Sequence, residues 1–254
     1  MLINNEKLNL VQSAIENLDL NTENYHLLAS SSDLENKNFV YIKGDLQPQS
    51  FKIKFIEGVT DSIIFIGDKQ KGKGCHIRVE YSSSLIYIGG NCNLKNLSLR
   101  GGNILIGDAV SSHEGRWQAG VNSREVLDGK PNLEAMIIVG DDCMFSRDIT
   151  IRTSDAHPIY DFNSNKIVNL TDKSVFIEPH VWVCEKVSIM KGIKIGACSI
   201  LALGAVVTKD VPRNSSAGGV PAVFRSLNGK VWARNTFKTS KLQSEYYFNK
   251  YINI

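Results

Sequence analysis

The stretch "IEPHVWVCEKVSIMKGIKIGACSILALGAVV", residues 177 to 207, decides the fold. Every sixth residue in it is aliphatic: Ile177, Val183, Ile189, Ile195, Leu201 and Val207. The residue four places after each of the first five is small or aliphatic: Val181, Val187, Ile193, Ser199 and Ala205. An amphipathic helix would bring apolar residues back at three and four, and the Val and Ile content favours strand. A step of six describes a solenoid of triangular cross-section, in which each unit makes one short strand and one corner and three units close a coil. One coil cannot bury its own apolar edge, so coils stack and their backbones pair in parallel along the axis.

The same rhythm runs upstream. Val139, Phe145 and Ile151 keep the step, and Ile88, Leu94 and Ile106 share a phase that Arg100 interrupts. Corners are marked by Ile66-Gly67-Asp68, Ile88-Gly89-Gly90, Ile106-Gly107-Asp108, Val139-Gly140-Asp141 and Ile195-Gly196-Ala197. There Gly or Asp permits a tight turn. The intervals 88 to 106 and 177 to 195 are both 18 residues, which is one coil of three units.

This reading predicts a mainly β chain in three parts. Residues 1–60 form an N-terminal cap that starts with a helix carrying Leu8, Val11, Ile15 and Leu18 on one side. Residues 61–225 form the β-helix, with insertions at 110–135 and 152–174, and residues 226–254 form a polar, tyrosine-rich C-terminal tail. Long loops on a rigid scaffold are where binding residues concentrate.

Composition narrows the function classes. The chain has 254 residues and a formal charge of +3, and its Lys and Arg residues form no long run, so a nucleic-acid surface has little support. A small anionic ligand or an acidic polymer suits this charge. The N-terminus lacks the basic start and apolar run of a secretion signal, and no stretch approaches the roughly 18 apolar residues of a membrane span. The five cysteines, Cys75, Cys92, Cys143, Cys184 and Cys198, contain no C-x-x-C pair and read as reduced, buried thiols of a cytoplasmic protein.

With the rhythm and the corners in place, the sequence resembles the hexapeptide-repeat acyltransferases, whose fold is a left-handed parallel β-helix. Within that family, "VGDDCMFSRDITIRTSDAHPIYD" (139–161) followed by "VFIEPHVWVCEKVSIMKGIKIG" (175–196) is similar to bacterial capsular-polysaccharide O-acetyltransferases, including those acting on sialic acid. "LALGAVVTKDVPRNSSAGGVPA" (201–222) resembles the family's closing segment. The resemblance covers roughly residues 60 to 235.

The resemblance implies a catalytic histidine at His157, in the "HP" of the second insertion. A sugar hydroxyl is a poor nucleophile at neutral pH, and a neutral imidazole within hydrogen-bond reach takes its proton as the new bond forms. Pro158 biases His157 towards an extended backbone. Trp182 is placed beside the reacting centre, where an indole offers a flat apolar face and one N–H. The oxyanion donor maps to the backbone N–H of Cys184 or Glu185, where the family commonly shows Gly-Ser. Asp155 or Asp161 orients the imidazole or makes local turn bonds.

For the co-substrate acetyl-CoA, the resemblance implies a groove between neighbouring coils of two subunits. Ala202, Leu203 and Gly204 line the pantetheine, with Thr208, Lys209 and Arg225 nearer the nucleotide end. Arg116, Trp117, Arg147 and Asp155 are the acceptor-binding candidates, because Arg suits the carboxylate of an acidic sugar. His113, His26, His76 and His180 have no motif support. A related β-helix family binds zinc with three histidines, two of them five apart; no two histidines here have that spacing, and no metal is expected.

The function expected is therefore an acetyl-CoA-dependent O-acetyltransferase acting on a surface-polysaccharide sugar by direct transfer, in a homotrimer without a membrane span. Two alternatives stand beside it. One is an N-acetyltransferase acting on an amino sugar of a nucleotide sugar; the other is a β-helix scaffold without catalysis.

Overall fold

Parallel ladders run the length of the computed structural model, which describes residues 24–28, 36–45, 50–120, 135–155, 157–169 and 173–253. They form three sheets of eight, seven and seven strands, the three faces of a prism. The chain visits them in a fixed order. The first face holds Phe39–Ile42, Ile63–Ile66, Leu85–Ile88, Ile104–Ile106, Ile137–Val139, Val175–Ile177 and Lys194–Ile195. The second holds Asn93–Leu94, Ser111–Ser112, Met144–Phe145, Trp182–Val183, Ile200–Leu201 and Ser215–Gly219. The third holds Phe51–Phe55, Cys75–Val79, Leu97–Gly101, Gly115–Ala119, Ile149–Arg152, Ser188–Ile189 and Val206–Val207.

The sixfold step is the core. Ile177, Val183, Ile189, Ile195, Leu201 and Val207 are all buried in one cluster with Ile88, Leu94, Ile106, Val139, Phe145 and Ile151. Register follows the repeat: Ile88 faces Ile106, and Ile177 faces Ile195. Arg100 interrupts the phase because Leu97–Gly101 is a five-residue strand whose inward residues are Leu97 and Leu99, leaving Arg100 exposed.

The corners divide the work between two positions. A Cβ on Gly67 would sit 2.6 Å from the carbonyl carbon of Gly89, and one on Gly89 would sit 2.6 Å from that of Gly107, so these glycines permit close stacking of coils. The left-handed turn falls two residues later, at Lys69, Asn91, Ala109, Asp142, His180, Cys198 and Asn214, with φ between 50° and 58°. Aspartates close the stack: Oδ1 of Asp108 accepts the Gly90 N–H at 2.7 Å, and Oδ1 of Asp141 accepts the Asp108 N–H at 2.8 Å.

Three parts of the chain differ from the sequence reading. The coils begin at Phe39 rather than at residue 61, because Phe39–Ile42 and Phe51–Phe55 already pair in parallel with the strands that follow them. The insertion read at 110–135 is shorter at its start. Ser111–Ser112 and Gly115–Ala119 are ordinary rungs of a coil, paired on both sides, and the remainder (121–134) lies outside the described residues. Its polar composition hid them, since Ser111, Arg116 and Gln118 are outward positions. The tail is built: Ala222–Ser226 turns back antiparallel on Ser215–Gly219, and helix α1, Lys238–Tyr251, packs Tyr251 against Ala197 and Cys198. The expected helix with Leu8, Val11, Ile15 and Leu18 lies outside the described residues.

The outer surfaces of the faces are chemically distinct. On the first, Tyr41, Phe65, Tyr87, Leu105 and Ile138 stand in one row and are buried as a second cluster, with the Tyr25 ring edge-on to Phe65 at 5.4 Å. The third is polar and exposed. The second carries Trp182 and is crossed by the segment leading into α1. Among the described residues no helix is long and apolar enough to cross a membrane.

Candidate active site

Both interruptions of the repeat leave from the ends of third-face strands, Gly115–Ala119 and Ile149–Arg152, in neighbouring coils. They therefore emerge on one edge of the prism, between the third and first faces. The second interruption folds into a hairpin, Tyr160–Asp161 against Lys166–Ile167. Asp161 serves its turn: Oδ1 accepts the Asn163 N–H at 2.8 Å and Oδ2 accepts the Ser164 hydroxyl at 3.0 Å. These bonds, the Asn163 N–H foremost, hold its carboxyl below the ordinary aspartate range.

The stem of the loop is clamped around His157. Asn169 Nδ2 donates to Oδ2 of Asp155 at 3.0 Å and to the His157 carbonyl at 2.9 Å, while its Oδ1 accepts the Ile159 N–H at 2.8 Å. Lys191, from the same edge one coil on, donates to Oδ2 of Asp155 and to the Asn169 carbonyl, the latter at 2.6 Å. The Lys191 ammonium holds the Asp155 carboxyl below the ordinary aspartate range, helped by Asn169. The backbone of His157 is thus fixed while its side chain is exposed. Asp155, read from sequence as facing the imidazole or the acceptor, instead binds Lys191 and Asn169. These two partners were missed because Lys191 stands 36 residues from Asp155 and reaches it only through coil stacking.

A second group lies on the second face and on its edge with the third. Trp182 is half-buried between Met144 and Ile200 of the adjacent coils, with the Trp232 ring 6.1 Å away. The Cys184 N–H donates to the Leu201 carbonyl at 2.9 Å, so the coil ladder consumes that oxyanion candidate. Among the described residues the Glu185 N–H meets no acceptor, while the Glu185 carbonyl takes the Gly204 N–H at 2.9 Å. The Glu185 carboxylate lies 3.7 Å from Lys186, an exposed pair. Ala202, Leu203 and Gly204 form the next coil's edge. Gly204 has φ 70° and open space where a Cβ would stand, and Leu203, Val220 and Val223 are 70%, 74% and 70% exposed.

The remaining candidates scatter. Thr208 and Lys209 are exposed on the third–first edge, and Arg225 is exposed opposite Ser216. Arg147 and His113 are exposed on the second–third edge. Arg116 is exposed on the third face, beside a polar depression of about 460 Å³ lined also by Asn96, Ser98, Glu114, Asp148 and Thr150. Trp117 corrects the sequence reading: its side chain is fully buried in the core, 4.7 Å from Phe145, and cannot touch an acceptor. Strand alternation decides this, since Arg116 points out and Trp117 in.

In a three-sided prism the second face lies opposite the third–first edge. His157 and Trp182 therefore stand on opposite sides of one chain. A site that uses both draws them from two copies.

His180 is structural, as its lack of motif support suggested. It is buried, with Nδ1 at 2.7 Å from Asp142 and Nε2 at 3.0 Å from the Trp232 carbonyl. All five cysteines are free and all but Cys184 are buried; burial pushes the thiols of Cys92 and Cys198 up to about 12. Among the described residues no group of His, Cys, Asp and Glu is arranged to hold a metal.

No family model matches the chain. Curated relatives do. It is 41% identical over 110 residues to a polysialic acid O-acetyltransferase of Escherichia coli O1:K1, a match covering 43% of this chain and 34% of that protein. It is 30% identical over 124 residues to a polysialic acid O-acetyltransferase of Neisseria meningitidis, covering 44% of this chain and 57% of that one. A galactoside O-acetyltransferase of Escherichia coli K12 is 30% identical over 109 residues, 42% of this chain and 52% of that protein. The chain thus spans between a third and three fifths of these relatives' own length.

Among solved structures, the polySia-specific acetyltransferase NeuO superposes with a TM-score of 0.56 at 25% identity, over 79% of this chain and 98% of that one. The polysialic acid O-acetyltransferase OatWY superposes with a TM-score of 0.54 at 21% identity, over 79% and 99%. The fold is the left-handed parallel β-helix expected, and the chain is homologous to sugar O-acetyltransferases.

Proposed function

We propose that this chain is an acetyl-CoA-dependent O-acetyltransferase that modifies a hydroxyl of a surface polysaccharide, with a sialic acid polymer as the first acceptor to test. The observation that carries the reading is the clamped His157 stem. A loop histidine without a task needs no three-residue lock of Asp155, Asn169 and Lys191 beneath it. General-base catalysis does need it, because small displacements of the base cost large factors in rate.

In this reading the thioester of acetyl-CoA supplies the acetyl group. The second–third edge of one copy offers what such a co-substrate needs: the exposed apolar side chains of Leu203, Val220 and Val223 for the pantetheine arm, and an unengaged N–H at Glu185 for the developing oxyanion. His157, from the third–first edge of another copy, takes the proton of the acceptor hydroxyl as the oxygen bonds to the carbonyl carbon. The carbon–sulfur bond then breaks and the imidazolium returns the proton to the departing thiolate. Trp182, on the face beside Glu185, presents its ring to the acceptor or the thioester tail. In this reading the site is shared between copies, and the homotrimer is the form proposed.

The test is purified protein with acetyl-CoA and sialic acid polymer, with CoA release followed by a thiol reagent and the product weighed by mass spectrometry. Acetyl ester on the polymer that disappears in His157→Ala supports the reading. Equal CoA release by His157→Ala overturns it, and acetyl appearing on an amine rather than a hydroxyl replaces it with N-transfer.

A further inference from the structure

The scarcity of basic runs in the sequence conceals how the coils stack their cations. Lys54 stands in register with Arg78, Arg78 with Arg100, Arg100 with Gln118, and Gln118 with Arg152. A second row runs beside it: Lys52, His76, Ser98 and Arg116. All these positions are outward ones on the third face, and Lys52, Lys54, Arg78, Arg100, Arg116 and Arg152 are exposed. Ladder rungs are about 4.8 Å apart and the two rows about 7 Å apart, so the array is a strip roughly 19 Å long running across the coils.

Little opposes this charge. Among the described residues, Glu80 is the acid paired with the strip's middle, bound to Arg78 at 2.8 Å and Arg100 at 2.7 Å, and it cannot neutralise both. Glu114 and Asp148 lie at the far margin, on the second–third edge beside Arg116. Lys52, Lys54, Arg116 and Arg152 make no ion pair among the described residues. The strip also ends at a telling place: Arg152 is the last residue of Ile149–Arg152, the strand from which the His157 loop departs.

We propose that the third face is a track for a linear, carboxylate-bearing polysaccharide, which lies across the coils and is led by Arg152 to the His157 loop. This rests on the acetyltransferase reading for the identity of the polymer, but not for its charge. Regularly spaced cations on a rigid sheet match a polymer with one carboxylate per sugar, and Arg forks bind carboxylates in two-point fashion. Nucleic acid fits less well. The outward positions of the strip carry no Phe, Tyr or Trp, so it offers no platform on which bases could stack.

Binding is tested with the full chain and without acetyl-CoA, so that it does not depend on transfer. Affinity electrophoresis against long sialic acid polymer, neutral dextran and a single-stranded oligonucleotide is run at about 50 and 200 mM salt, a range over which polyelectrolyte contacts weaken steeply. Wild type and His157→Ala should be retarded by the sialic polymer alone. The triple variant Lys52→Gln/Lys54→Gln/Arg152→Gln, with unchanged melting, should bind it at least about tenfold more weakly, with a shallower salt dependence. Wild-type retardation of the triple variant overturns the track, as does tighter binding of the oligonucleotide or equal binding of dextran. Retardation without acetyl transfer keeps the track and sinks the enzymatic reading; transfer to the polymer without retardation does the reverse.

Discussion

Nδ1 of His180 lies 2.7 Å from Oδ2 of Asp142, while Nε2 of the same ring lies 3.0 Å from the Trp232 carbonyl oxygen. Both ring nitrogens therefore face an oxygen, and the buried ring is fixed at two points. The other Asp142 oxygen accepts Nε of Arg234 at 2.7 Å, and the ring is stacked between Trp232 at 4.3 Å and Tyr247 at 5.2 Å. One polar and aromatic cluster thus fastens the C-terminal segment and α1 to the first–second corner. Removing the ring strips Asp142 Oδ2 and the Trp232 carbonyl of a buried partner and leaves a cavity between two aromatic rings, and His180→Ala is expected to cost about 3 kcal/mol. Proteolysis should then open residues 228–253 first, and the helical signal in circular dichroism should fall before the β signal does.

Trp117 and Gly115 form the sharpest test of the inward–outward assignment on the third face. A Cβ on Gly115 would stand 2.8 Å from the Ile149 carbonyl oxygen and 3.2 Å from the Trp117 indole nitrogen, so the missing side chain is what makes room for the ring. Trp117→Ala should cost about 3–5 kcal/mol through the cavity it leaves. Gly115→Ala should cost roughly 1–3 kcal/mol through overpacking. Denaturant melts measure both. A surface acceptor contact would instead lose substrate affinity with stability unchanged.

These two residues also show how far the sequence could be read. The step of six named the buried residues of every late coil, because each unit there is one strand and one corner with no slack. It lost phase at Arg100 and again after Val110, where third-face strands lengthen to five residues and bury alternate positions. Trp117 reads as an acceptor contact because it falls in an apparent insertion; its polar neighbours Arg116 and Gln118 are what strand alternation requires around an inward residue. His157, Trp182 and Glu185 were marked by resemblance. Lys191 and Asn169 were not, because their role exists only once coils stack and a loop folds back. The basic strip was invisible for the same reason: its successive rungs come from strands widely separated in the chain and meet only when coils stack.

The corner glycines separate two physical demands that sequence alone merges. A Cβ on Gly196 would stand 2.6 Å from the Arg213 Cα, with backbone rather than a yielding side chain in the way. Gly204 has nothing within 4 Å of that point but adopts φ 70°. Gly196→Ala forces coils apart and should cost about 2–3 kcal/mol. Gly204→Ala meets only the left-handed strain of a non-glycine residue and should cost about 1 kcal/mol. Thermal melts of the two variants side by side should preserve that order; equal losses would mean the coils yield at the corner.

Lys191 should govern the rate while contributing little to stability. Its ammonium ties Asp155 to the Asn169 carbonyl, and Asn169 in turn holds the His157 carbonyl, so the imidazole's position depends on a cation it never touches. Lys191 and Asp155 side chains are 25% and 38% exposed, so solvent screens the pair and Lys191→Met should lower stability by no more than about 1 kcal/mol. On the proposed mechanism, in which His157 is the base, misplacing it should cost on the order of a hundredfold in kcat, with KM for acetyl-CoA unchanged. Lys191→Arg, which keeps the charge, should restore much of it. The pH dependence gives the sign. Asp155 has its carboxyl lowered by Lys191, so the clamp is whole above the ordinary aspartate range and fails only as pH falls through that lowered value. In Lys191→Met the carboxyl regains protons at higher pH, and the acid limb of the rate profile should move upward. A limb that stays in place, with kcat intact, would show that the lock beneath His157 has no part in positioning it.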